Sequence, residues 1–129
     1  MTTPTAQPRR VLVVDRDPRV RAALTALIDA TPGLEVAAAT SLTELPCVLG
    51  TPAADVAVVD VTAGHPEDDL AAIRDLSARL PVVAVSAAGT DGVHAIAAGA
   101  MACCDKDGDA DCLIAALTAV APPGARPCS

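Results

Sequence analysis

The chain alternates short apolar runs with stretches of helical periodicity, and this alternation restricts its fold more than any other feature. The apolar runs occupy residues 11–14, 56–59, 82–85 and 101–104, and residues 35–39, a Glu followed by Val and three Ala, form a weaker strand signal after the first. Each run has the length of a strand, and apolar residues recur every three or four positions in the stretches between them. Strands separated by helices favour a parallel sheet with helices on both faces. We therefore predict an α/β fold, a doubly wound five-stranded parallel sheet with strand order 2-1-3-4-5 and right-handed connections.

Residues typical of helix starts separate the predicted strands. Asp17 can cap a first helix that has Pro18 at its first position, where a missing N–H costs nothing. Ser41 and Glu44 form a capping box for a second, short helix. Later helices are expected to start at Pro66, at residue 91 and at residue 109 or 111.

Length and composition indicate a single domain without a nucleic-acid surface. The chain has 129 residues, a net charge of −7 and no aromatic residue, so it lacks the stacking platforms that bind single-stranded nucleic acid. We assign residues 1–9 to a disordered N-terminal segment, 10–121 to the domain, and 122–129 to a linker or a truncated tail. Neither a signal peptide nor a membrane-length apolar stretch is present in the sequence, which predicts a cytoplasmic protein.

The cysteines predict reduced thiols. There are five of them, an odd number, and no two have C-x-x-C spacing. This pattern fits neither a disulfide framework nor a zinc site, and we expect the cysteines to serve as small apolar residues.

Four polar residues at strand ends form the candidate site. Asp15, Asp60, Ser86 and Lys106 follow or close the first, third, fourth and fifth predicted strands. In the predicted strand order these strands are consecutive neighbours, so the four side chains converge on the edge where open α/β sheets bind ligands. A carboxylate there can attack phosphorus to form an acyl phosphate, while a lysine, a hydroxyl and a magnesium ion can hold the phosphoryl oxygens. Asp60 is the candidate nucleophile because its strand is central.

The segments around these residues resemble receiver domains of two-component response regulators. The similarity rests on residues 11–18, 55–61, 81–87 and 99–107, in order, and spans about residues 10 to 121. It implies the flavodoxin-like, CheY-like (βα)5 fold. The segment that runs from Gly99-Ala100 to Lys106-Asp107 has no proline after the lysine. In this it is most similar to receivers that precede a LuxR-type helix-turn-helix.

The resemblance also implies roles for individual residues. Asp60 is implied as the phosphoacceptor, and Ser86 and Lys106 as the residues that sense the phosphate. Magnesium would be held by Asp15, Asp60 and the backbone carbonyl of Thr62, and Asp17 is a substitute ligand.

Three features depart from the family pattern. The stretch from Ser86 to Lys106 is slightly short for the family, which predicts an altered fourth helix, and the other two are single positions. Arg16 stands where the family has a second acidic residue that binds magnesium directly, which makes the acidic pocket atypical. If its guanidinium turned inward it would pair with Asp60 or Asp15 and weaken or abolish metal binding, and if it lay outward the site would be one ligand short. Cys103 replaces the aromatic switch residue of the fifth strand.

These observations leave two functions open. In the first, a histidine kinase phosphorylates Asp60, and the face formed by the helix at 91–98 and the fifth strand changes its contacts, controlling an output domain or a partner. The chain would then be a phosphoprotein in transcription regulation, with at most slow self-catalysed phosphorylation and dephosphorylation. It could form a homodimer through that face and the last helix. It could also control a C-terminal DNA-binding output domain. In the second, a receiver-like interaction module acts without phosphate and has Arg16 in the metal pocket.

A nucleotide-binding or hydrolytic enzyme is disfavoured because residues 15–18 contain no glycine and the chain has no P-loop or nucleophile elbow.

Overall fold

The structure is a computed structural model, and it describes residues 8–41, 44, 54–61, 66–86, 89–105 and 110–119. Five parallel strands form one sheet in the order β2-β1-β3-β4-β5. The strands are β1 (Arg9–Val14), β2 (Leu34–Thr40), β3 (Val56–Val61), β4 (Val82–Ser86) and β5 (Ala102–Asp105). The predicted fold class and strand order are confirmed. β1 begins one residue earlier than the predicted domain boundary.

Within the described residues there are four helices, of which three connect strands and the last follows β5. They are α1 (Pro18–Asp29), α2 (Pro66–Ser77), α3 (Gly89–Ala98) and α4 (Ala110–Ala119). Asp17 caps α1 as predicted, because its carboxylate accepts the N–H of Arg19 at 2.9 Å. No helix in this part of the chain is long and apolar enough to cross a membrane.

The second predicted helix lies largely outside the described residues, which omit 42–43 and 45–53. The predicted capping pair of this helix, Ser41 and Glu44, lies within the described residues. The hydroxyl of Ser41 lies 3.3 Å from the carboxylate of Glu44, whose N–H donates to the Ser41 carbonyl.

Two apolar clusters cover the two faces of the sheet. On one face, Ile73 and Leu76 of α2 pack with Ala95 of α3 against β1, β3 and β4. On the other, Ile28 of α1 and Leu117 of α4 pack against the alternate strand residues. Burying one such aliphatic side chain contributes about 1.5–3 kcal/mol, and because β3 is covered on both faces it is buried along its whole length. The core thus holds the carboxyl end of β3 in the middle of the sheet edge.

Gly99 ends α3 with a φ of +125°, a left-handed conformation that side chains rarely adopt. A Cβ at this position would also collide with the Ser77 side chain at the end of α2. The glycine therefore lets α3 turn toward β5 close to α2.

Candidate functional site at the strand ends

Asp15 and Asp60 lie side by side at the carboxyl edge of the sheet. Val14 of β1 is in register with Val59 of β3, so the two aspartates follow at matching positions on adjacent strands. Both are buried, with exposed fractions of 2% and 7%. Two carboxylates buried this close together favour a cation or an electrophile between them. The register confirms that the ends of β1 and β3 lie at the same edge of the sheet, as predicted, and the roles of Asp15 and Asp60 stay predictions.

Hydrogen bonds orient the turn that follows β1. Oδ1 of Asp15 accepts the N–H of Asp17 at 2.9 Å, and the Asp15 carbonyl accepts a hydrogen bond from the Arg21 guanidinium at 2.9 Å. Asp17 caps α1 in turn. Its carboxylate is therefore engaged with the helix terminus, which argues against Asp17 as a replacement metal ligand.

Arg16 contacts carboxylates on α2. Its Nη2 lies 3.4 Å from Oδ1 of Asp69 and 3.8 Å from Oδ2 of Asp68. Its side chain is 41% exposed, whereas that of Asp69 is only 1% exposed. Arg16 thus spans from the end of β1 to the first turn of α2, and its partners are not the Asp15 and Asp60 expected for an inward guanidinium.

Sequence reasoning placed Asp69 only as a helix-start residue and missed its contact with Arg16. A signal was present, because Asp69 precedes Ile73 by four residues and Leu76 by seven. That spacing puts it on the buried stripe of α2, where a carboxylate needs a partner.

Ser86 occupies the neighbouring strand end. It is buried and lies in register with Val61 on one side and Asp105 on the other, one residue beyond Asp60 along the edge. Ser86 and Cys103 line a cavity of about 410 Å³ beneath α3. Cys103 is small enough to leave this space open where an aromatic side chain would fill it.

A second cavity, of about 380 Å³, opens between α1 and α4. Asp15, Asp60 and Asp105 contribute its acidic edge, and aliphatic residues such as Leu24 and Leu113 contribute the rest of its wall. The edge of the sheet therefore presents the two buried aspartates to an open space that a small group can enter.

Two predicted site residues, Lys106 and Thr62, lie outside the described residues. The described part of the site consists of two buried carboxylates and a hydroxyl at successive strand ends. In this part of the chain no group of three or more His, Cys, Asp or Glu side chains could hold a metal ion. Magnesium is commonly bound by one or two carboxylates with water and phosphate oxygens, so Asp15 and Asp60 fit that requirement.

Comparisons with known proteins agree with this geometry. The family model for the response regulator receiver domain matches residues 11–118. A search of curated proteins found no match.

Among solved structures, the receiver domain of the Francisella response regulator 1452 is 21% identical with a TM-score of 0.69, and the match covers 85% of this chain and 93% of that one. A response regulator from Thermotoga maritima is 25% identical with a TM-score of 0.71, covering 86% and 95%. NtrX from Brucella abortus in complex with ADP is 28% identical with a TM-score of 0.72, and the match covers 87% of this chain but 26% of the NtrX chain.

Proposed function

Because this chain belongs to the response regulator receiver domain family, we propose that Asp60 accepts a phosphoryl group from a histidine kinase and thereby controls an output domain or a partner. The observation that carries this proposal is the placement of Asp60. Its carboxylate is buried at the end of the central strand, beside Asp15 and open to the cavity between α1 and α4. A small phosphodonor can reach such a group through the cavity.

The neighbouring residues have distinct proposed roles. An oxygen of the Asp60 carboxylate attacks phosphorus and forms an acyl phosphate, while the bond from phosphorus to the donor breaks and the kinase histidine, or acetate from acetyl phosphate, leaves. Lys106 and Ser86 bind the oxygens of the phosphoryl group, and Asp15 with Asp60 and the Thr62 carbonyl hold magnesium. Magnesium, when bound, neutralises charge on the transferring phosphoryl group. The chain is then a phosphoacceptor with at most slow self-catalysed turnover, not an enzyme acting on a separate substrate.

The contacts of Arg16 favour this function over the phosphate-independent module. That alternative draws its support from a guanidinium paired with Asp60 as a built-in cation. Arg16 instead contacts Asp68 and Asp69, which offset its charge from the side of α2. An acidic pair that is not bound by Arg16 suits metal and phosphate binding.

The proposed signalling surface comprises α3 and β5. Val93 and Ile96 of α3 and Met101 before β5 are large apolar side chains with exposed fractions of 68%, 48% and 62%. Ser86 lies in the cavity beneath this surface, next to Val93 and Ile96, so a phosphoryl group held by Ser86 is well placed to affect it. Contacts with a second copy or with a DNA-binding output domain of the LuxR type are proposed at this surface.

The test is labelling by a small phosphodonor. Acetyl phosphate with magnesium should add one phosphoryl group to the intact mass of the protein, and Asp60→Asn should remove that gain while leaving the far-ultraviolet circular dichroism spectrum unchanged. Asp55→Asn is the matched control, since Asp55 directly precedes the other end of β3 and accepts the Arg10 N–H at 2.9 Å. This control should label normally.

Two other results would redirect the assignment. Labelling that survives Asp60→Asn would place the acceptor elsewhere. If the wild type neither labels nor forms a beryllium fluoride adduct with magnesium, the phosphate-independent module becomes the better function.

A further inference from the structure

Two cysteines that sequence analysis treated as small apolar residues lie in direct contact. The thiol of Cys112 is 3.3 Å from the sulfur of Cys104. Cys104 lies in β5 and Cys112 in the first turn of α4, eight positions later in the chain. Both are thiols in this structure.

The two thiols differ in accessibility. Cys104 is buried in the apolar cluster that contains Leu113 and Leu117 of α4, whereas Cys112 is exposed. Burial, assisted by the hydrogen bond and charge of Cys112, raises the pKa of Cys104 to about 12, so this thiol stays protonated near neutral pH. A dissolved oxidant therefore meets Cys112 first, and Cys104 is held beside it.

We propose that Cys104 and Cys112 are an oxidant-responsive pair that closes to a reversible disulfide when the protein meets a peroxide. A disulfide bond is about 2.05 Å long, so the sulfurs need to approach by only about 1.2 Å from their separation of 3.3 Å. Disulfides in reducing compartments are typically transient and redox-sensing, which suits a pair that is reduced at rest.

The reaction balances with the peroxide as the sole oxidant. The sulfur of Cys112 attacks one peroxide oxygen, the O–O bond breaks, and the sulfur becomes a sulfenic acid while water leaves. The sulfur of Cys104 then attacks the sulfenic sulfur, the S–O bond breaks, and the Cys104 proton departs with the hydroxyl as a second water. The two thiols together lose two electrons and two protons, and a dithiol reductant restores them.

Cys103 provides an internal comparison. It is adjacent to Cys104 in β5, but alternate strand residues point to opposite faces, and Cys103 packs with the cluster under α2 and α3. Its sulfur lies in the cavity beneath α3 rather than next to Cys112. A bridge between Cys103 and Cys112 would have to cross the sheet.

The bridge would tie β5 to α4 around residues 105–111, a segment that includes Lys106. Oxidation would therefore restrain the connection that carries the proposed phosphate-binding lysine. Formation of the disulfide itself does not depend on whether Asp60 accepts phosphate, so the two proposals fail separately.

The experiment uses the full chain with Cys47→Ser and Cys128→Ser, which leaves Cys103, Cys104 and Cys112. After hydrogen peroxide treatment, alkylation and tryptic digestion, cleavage at Lys106 separates Cys104 from Cys112, so a bridge links two peptides. We expect this linked pair to exceed intermolecular products by about tenfold or more at micromolar protein, because the thiols are already adjacent. It should disappear on reduction, persist in Cys103→Ser and be lost in Cys112→Ser, whose exposed position preserves the fold.

Several results would overturn the proposal. One is loss of the linked pair in Cys103→Ser, which would show that Cys103, and not Cys104, forms the bridge with Cys112. Another is accumulation of sulfinic acid on Cys112 with Cys104 still alkylatable after unfolding. A third is cross-linking only between molecules, with a yield that rises with protein concentration.

Discussion

The guanidinium of Arg16 lies 3.4 Å from Oδ1 of Asp69, so a half-exposed cation covers a carboxylate that is only 1% exposed. The pair joins the turn after β1 to the first turn of α2. Arg16 therefore has a structural role outside the pair of Asp15 and Asp60.

Arg16→Ala should lower the free energy of unfolding by about 1–2 kcal/mol. Breaking a fully buried ion pair typically costs about 3–5 kcal/mol. The loss is expected to be smaller here because the Arg16 side chain is 41% exposed and solvent screens its charge. Urea unfolding followed by circular dichroism measures this, since the chain has no aromatic fluorophore. Arg19→Ala is the control, because Arg19 is 96% exposed and 4.0 Å from Asp17. Equal losses from the two substitutions would mean that the Arg16–Asp69 contact contributes nothing of its own.

Arg16→Asp should raise magnesium affinity by about tenfold or more. Arg16 contacts Asp68 and Asp69 rather than the site itself, so its charge acts on the site from a distance. A two-unit change of charge that acts on a divalent ion from roughly 10 Å through solvent is worth about 1.7 kcal/mol, and about 1.4 kcal/mol suffices for a factor of ten. Amide chemical shifts in a magnesium titration give the two dissociation constants. Arg79→Asp makes the same charge change after α2, at the opposite edge of the sheet, and should leave the affinity nearly unchanged. A similar gain in both variants would point to net charge rather than to the site.

Gly99→Ala should cost more stability than Gly33→Ala. Both glycines have positive φ, +125° and +87°, so each alanine carries a backbone penalty of about 1–3 kcal/mol. Only at Gly99 does the added Cβ also meet the Ser77 side chain, since nothing lies within 4 Å at Gly33. Chemical denaturation of the two variants compares them directly. A larger loss for Gly33→Ala would contradict the close packing of α3 on α2.

Folding stability should fall as the pH rises from about 9 to about 12. The pKa of Cys104 is raised from 9.0 to about 12 in the folded protein, mainly by burial. The folded state then holds a proton that the unfolded state releases, so this contribution is complete below pH 9 and is lost as the pH approaches 12. The chain has no tyrosine, which removes one competing titration. Cys104→Ala should flatten this part of the pH profile of the unfolding free energy, and an unchanged slope would contradict burial of the thiol.

Much of the fold was predictable because it depends on local periodicity. The run 56–59 is apolar at every position, as a central parallel strand must be, and β3 is buried throughout. Leu113 and Leu117 fall at helical spacing, and both are buried in α4. The placement of Asp15 and Asp60 at one edge also follows from the pattern, because parallel neighbours bring their carboxyl ends to the same edge of the sheet. In such cases residue type and spacing favour one arrangement, and the structure confirms it.

The sequence by itself determined the strands, their order and the acidic pair at their ends. Only the tertiary structure decided which carboxylate Arg16 contacts and which cysteines touch. Asp69 is 53 residues from Arg16 in the chain, and its position depends on how α2 packs on the sheet. Cys104 and Cys112 meet because α4 folds back over β5, which spacing does not reveal when a strand changes to a helix between them. A long side chain can reach several partners, and the packing of distant elements selects one of them.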